Sequence, residues 1–102
     1  MAEFPVLASS DDAWQTSSVV DITATNPNVD NNDWHGFRFP SVTIPQGATI
    51  DTAYVTLYFT DASDDNPDHD IYGEDDDAAA FAATANNISN RTRTSASTNW
   101  GS

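Results

Sequence analysis

The chain contains no lysine. Its only cationic side chains are Arg38, Arg91 and Arg93, set against fourteen Asp and two Glu, for a net charge of −13. That shortage argues against nucleic acid as a partner, because phosphate contacts need many Lys and Arg. It disfavours an anionic membrane surface for the same reason. Cysteine is also absent, which rules out disulfides and thiolate metal sites and leaves the redox compartment unread. No apolar run approaches the roughly 20 residues of a membrane-spanning helix, and no signal peptide is visible.

What is present fits one folded domain. With 102 residues, 38% of them hydrophobic and 11% aromatic, the composition is that of a packed domain rather than a disordered acidic tail. Glu3-Phe4 and Gly101-Ser102 are dipeptides that common cloning sites encode. We therefore expect a single domain over 5–100, cut from something longer, with cloning scars at 1–4 and 101–102. The acid excess has a general reading of its own, since salt-loving organisms use such surfaces to stay hydrated in brine. That explains the total better than the clustering. Nine of the sixteen carboxylates lie between Asp61 and Asp77, where they repel one another unless cations or solvent compensate.

Strand patterns dominate the chain. Ile50 to Phe59 alternates with period two. Ala53, Val55, Leu57 and Phe59 form an apolar face, and Thr52, Tyr54, Thr56 and Tyr58 form the other. His35–Phe39 and Val42–Ile44 read as strand broken at Pro40, and Pro45-Gln46-Gly47-Ala48 reads as a turn. Val6–Ala8 and Trp14–Ile22 give weaker strands, Thr23–Asp33 an Asn- and Asp-rich loop, Ile71-Tyr72 a short strand, and Arg91 to Trp100 a last strand. Asp75–Asp77 followed by an Ala-rich run predicts a short helix near 76–85, with Asp at its positive end. The fold class expected is all-β, an antiparallel β-sandwich with that one helix.

The run from Phe37 to Leu57 carries an aromatic Phe37-x-Phe39 strand, then Ile44-Pro45-x-Gly47-Ala48-x-Ile50-x-x-Ala53-x-Val55-x-Leu57. This resembles the opening of the DNRLRE-type, carbohydrate-binding-like jelly-roll modules of secreted bacterial proteins. Ile71–Asp75 and Arg91–Trp100 look like later parts of the same kind of module, so the resemblance spans about Val6 to Trp100. It implies a jelly-roll-like sandwich, an extracellular parent and no catalytic signature. Such modules usually run longer, which implies an N-terminal part of a sandwich with open sheet edges. A second copy, completing the sandwich as a homodimer, is the partner expected.

Three kinds of site are candidates. Calcium takes six to eight oxygens from carboxylates, amides and carbonyls on flexible loops. Asp64, Asp65, Asp68, Asp70, Glu74, Asp75, Asp76 and Asp77 could supply them, with Asp30-Asn31-Asn32-Asp33 as an additional source. Asp68-x-Asp70-x-x-Gly73 begins like an EF-hand loop, but Ala79 stands where its bidentate Glu belongs. A zinc site would need His35 and His69, which lie 34 residues apart with nothing local to orient them. Sugars stack on exposed aromatic rings, and Trp34, Tyr54, Tyr58 and Tyr72 are the candidates for a polysaccharide ligand. Tyr54 and Tyr58 are spaced about 13 Å apart along one strand face. Carboxylate pairs are guaranteed by composition and mark no glycosidase. No Gly-x-Ser-x-Gly elbow is present, and no enzyme is expected.

These features predict a non-catalytic, calcium-stabilised structural or binding module of an extracellular protein. The alternatives are a carbohydrate-binding module using an aromatic sheet face, and an inert acidic, halophile-like fragment.

Overall fold

The computed structural model describes residues 3–23, 33–57 and 69–100. Within them the fold is all-β, built of two antiparallel sheets. A 3-10 turn, Ser9–Asp11, leads into β1 (Asp12–Thr16), which is followed by β2 (Val19–Asp21), β3 (Trp34–Phe37), β4 (His69–Glu74) and β5 (Arg93–Trp100). The first sheet has the order β2-β1-β3, and the second pairs β4 with β5. Among the described residues no helix is long and apolar enough to cross a membrane.

The Trp14–Ile22 pattern resolves into a hairpin. Thr16 pairs with Val19, so Ser17 and Ser18 form a two-residue loop. Ser17 adopts a φ of 57°, the positive value that the first loop position of a type II′ turn requires. On β1, alternation buries Ala13 and Gln15 on one face and leaves Asp12 and Trp14 half-buried on the other. The buried face meets Val20 and Ile88, with Ile22 and Phe81 packed around them.

Two features make this small core specific. Gly36 lies opposite Ala13, and Phe81 fills the space a side chain would occupy: a Cβ on Gly36 would stand 2.7 Å from Phe81 Cε1. Gln15, only 1% exposed, spends its whole hydrogen-bonding capacity. Its Oε1 accepts from the backbone N–H groups of Ile88 (3.1 Å) and Ser89 (3.0 Å), and its Nε2 donates to the Ser17 carbonyl (2.9 Å) and Ser89 Oγ (2.8 Å). One amide thus ties the first hairpin to the turn over 85–90.

The second sheet approaches the first at β3. His35 meets His69, while Arg93 lies over Trp34. Neighbouring residues of a strand point to opposite faces, so the second sheet touches β3 through side chains on both of its faces.

Several expected elements do not form. The helix near 76–85 is absent: residues 77–82 have no regular structure, and bends and turns follow to Asn90. An isolated helix of this length is marginal in water, and here arginines take the carbonyls that a helix would use. Arg38 Nε donates to Ala78 O (2.8 Å), and Arg91 donates to Ala79 O (2.8 Å) and Ala80 O (3.1 Å). Phe81 is drawn under Gly36 instead. The strand expected over Ile50–Phe59 is also not formed across its described part, 50–57, which pairs with no described strand and is exposed up to Thr56. Val42–Ile44 and Val6–Ala8 likewise lie outside any sheet. A strand is defined by its neighbour, and pattern alone supplies none.

Candidate functional site

The carboxylates proposed for calcium divide into those the structure describes and those it does not. Asp64, Asp65 and Asp68 lie outside the described residues, as do Asp30, Asn31 and Asn32. The others are occupied locally or point apart. Asp70 accepts from Asn99 Nδ2 across the β4–β5 ladder at 3.0 Å. Glu74 pairs with Arg91 at 3.0 Å. Asp76 accepts from the Asp77 backbone N–H at 2.8 Å, and Asp75 and Asp77 are exposed. Asp33 accepts the indole N–H of Trp14 at 2.8 Å. Among the described residues no three His, Asp or Glu side chains converge as metal ligands. The two histidines do meet, although nothing in their spacing foretold it: their rings stand 6.3 Å apart, edge to face, and His69 stacks on Trp100 at 5.9 Å.

With three cations in a chain of net charge −13, where each one goes is informative. Arg38 bridges Asp11 (2.9 Å) and Ala78 O. Arg91 uses all five of its N–H donors. Nε donates to Asn87 O (2.9 Å), Nη1 to Glu74 Oε2 and Ala79 O, and Nη2 to Ala80 O and Asn87 Oδ1 (3.1 Å). Its guanidinium also covers the Phe81 ring at 4.5 Å. A shallow, open depression beside it, lined by Glu74, Asp76, Asn86, Asn90 and Arg91 among others, therefore has no spare cationic donor to offer.

Arg93 differs from both. Its guanidinium lies 4.8 Å from the Trp34 ring centroid and 5.2 Å from that of Tyr72, and the residue is exposed. Among the described residues the side chains of Arg38 and Arg91 donate hydrogen bonds, and that of Arg93 donates none. A register shift in the β4–β5 ladder sets its position. Tyr72 pairs with Ser97, yet Glu74 pairs with Arg93, so β5 carries extra residues there. Thr94 Oγ1 holds this irregularity by accepting from Gly73 N–H (3.1 Å) and donating to Ala96 O (2.8 Å). Bulges re-aim side chains in this way.

Two of the four aromatic candidates are thus brought together. Trp34 is 37% exposed and Tyr72 39% exposed, one on each sheet, with Arg93 between them. Tyr54 is 76% exposed and makes no described contact with this group, and Tyr58 lies outside the described residues. Arg93 itself gave no signal in the sequence beyond its place in an expected strand. One of two arginines in Arg91-Thr92-Arg93-Thr94, it has no pattern that marks it as central.

These side chains together offer a surface that can bind a ligand. Aromatic faces offer apolar stacking surface, and a guanidinium offers a planar fork of donors. No family model, curated protein or solved structure matches the chain.

Proposed function

We propose that this protein is a non-catalytic binding module that holds a neutral glycan on Trp34, Arg93 and Tyr72. The observation that carries the reading is the exposed Arg93 guanidinium set between two partly exposed aromatic rings on different sheets. Sugar rings present apolar C–H faces to aromatic surfaces and hydroxyl oxygens to N–H donors. Arg93 stiffens both rings from one side and brings the donors. A neutral ligand fits better than an anionic one, because the net charge of −13 repels polyanions. An extracellular parent belongs to the same proposal and rests on the resemblance to secreted modules.

The test is a titration with a panel of neutral oligosaccharides, followed by tryptophan fluorescence and calorimetry. Binding that is lost in both Trp34→Ala and Tyr72→Ala, with melting temperatures kept within a few degrees, supports the site. Binding unaltered by both removes it.

Calcium stabilisation is a separate proposal, supported by the density of carboxylates over 61–77 and by no arrangement among the described ones. An ion that binds only the folded state adds about 2.7 kcal/mol at one hundred times its dissociation constant, roughly 10–20 °C in a domain of this size. A melt in millimolar calcium against EDTA, at constant sodium, decides it. A drop of that size under EDTA supports the ion, and superimposable curves exclude it.

A further inference from the structure

Residues 40–56 form a continuous exposed stretch. It holds Val42, Ile44, Ile50, Tyr54 and Val55, with Ile50 at 60% and Val55 at 53% exposure. This is also the region whose sequence alternates most cleanly as a strand, and among the described residues nothing pairs with it. An exposed, apolar segment with no described strand partner can serve as a template for another chain.

We infer that residues 51–57 pair antiparallel with the same residues of a second copy of this chain, about a two-fold axis at Tyr54. The inference stands apart from the glycan proposal, since it uses none of those side chains. Its first support is the pattern. Side chains directly opposite in an antiparallel pair share a face, so a pairing that keeps the apolar face apolar must match residues of like parity. About Tyr54, Thr52 meets Thr56, Ala53 meets Val55, and Tyr54 meets its own counterpart. Thr–Thr and aromatic–aromatic pairs are among the favourable cross-strand combinations. The two-fold makes the contact self-complementary and closed.

Charge supplies the second support. Two bodies of charge −13 repel, so contact is tolerable only where charge is sparse. Between positions 40 and 57 the only charged residue is Asp51. In this register Asp51 faces Leu57, and the two Asp51 residues stand about 20 Å apart along the ribbon. That is beyond the roughly 8 Å screening length at physiological salt.

The absence of cysteine makes the test direct. In the full chain, Tyr54→Cys should form an intermolecular disulfide under mild oxidation, because directly opposed strand residues lie about 4.5–5.5 Å apart between Cα atoms, within disulfide reach. Ser95→Cys, exposed on β5, serves as the control and should cross-link far more slowly. Sedimentation of the unaltered chain should show a species of twice 11.0 kDa that strengthens as salt is raised. Thr56→Pro, which removes a strand N–H, should weaken it by about tenfold or more. A chain that stays monomeric at every concentration, with Tyr54→Cys no faster than the control, overturns the pairing. Faster cross-linking through Val55→Cys than through Tyr54→Cys overturns the register.

Discussion

Residues 78–91 and residues 42–57 are both irregular, and they are held in opposite ways. The first stretch is fastened through its backbone by side chains from elsewhere in the fold. Arg38 and Arg91 reach its backbone, Gln15 takes the N–H groups of Ile88 and Ser89, and Phe81 is wedged under Gly36. The second has a single described backbone hydrogen bond of its own, Ala48 N–H to Pro45 O at 3.2 Å, and its apolar side chains face solvent. Irregular backbone is therefore not one condition. Where side-chain donors replace a ladder, a loop can be part of the core. Where nothing among the described residues replaces it, the segment stays exposed.

The comparison can be broken most severely at Arg91. Removing it strands the Ala79, Ala80 and Asn87 carbonyls and the Glu74 carboxylate together. Arg91→Ala is expected to cost roughly 3 kcal/mol or more, lowering the melting temperature by more than about 10 °C in a circular-dichroism melt. A shift under about 3 °C would show that the tied stretch does not support the fold. Gln15→Leu keeps size but deprives two backbone N–H groups of their acceptor, and a loss of about 2 kcal/mol is expected from urea unfolding.

A gain of stability is expected at Asp12. Its Oδ1 is buried with no partner among the described residues, and burial raises its pKa. A carboxyl raised in the folded state binds its proton more tightly there than in the unfolded chain. Its penalty is therefore absent below the unfolded value of about 3.9 and complete above the raised folded value. Asp12→Asn should raise the melting temperature at pH 7, and the advantage should vanish as pH falls below about 4. An equal gain at both pH values would contradict this origin. The smallest effect belongs to the open stretch. Tyr54→Ser should change the stability of dilute, monomeric chain by less than about 0.5 kcal/mol, and a loss near that of Gln15→Leu would erase the contrast between the two regions.

Local signals located the strands that form, whether their partners lie near or far in sequence. The hairpin of β1 and β2 sits within Trp14–Ile22, and β3, β4 and β5 fall on segments read as strands. Ile50–Leu57, with the cleanest alternation of all, forms none among the described residues, because alternation specifies which face is apolar and not what lies beside it. The Ala-rich run failed as a helix for a related reason, since long-range donors outcompeted its own amides. Trp34 and Tyr72 were legible as exposed aromatics. Arg93 was not, because its position follows from a register shift in a ladder between distant strands.

By itself the sequence determined the charge balance, the absence of thiol chemistry and the all-β character, since these follow from composition and period-two patterning. Tertiary structure alone decided which of three arginines makes no side-chain hydrogen bond among the described residues, which aromatic rings flank it, and that two histidines 34 residues apart would touch. The physical reason is common to all three. Composition and local periodicity act within a few residues, whereas hydrogen-bond saturation and ring contacts depend on which distant segments the small core draws together.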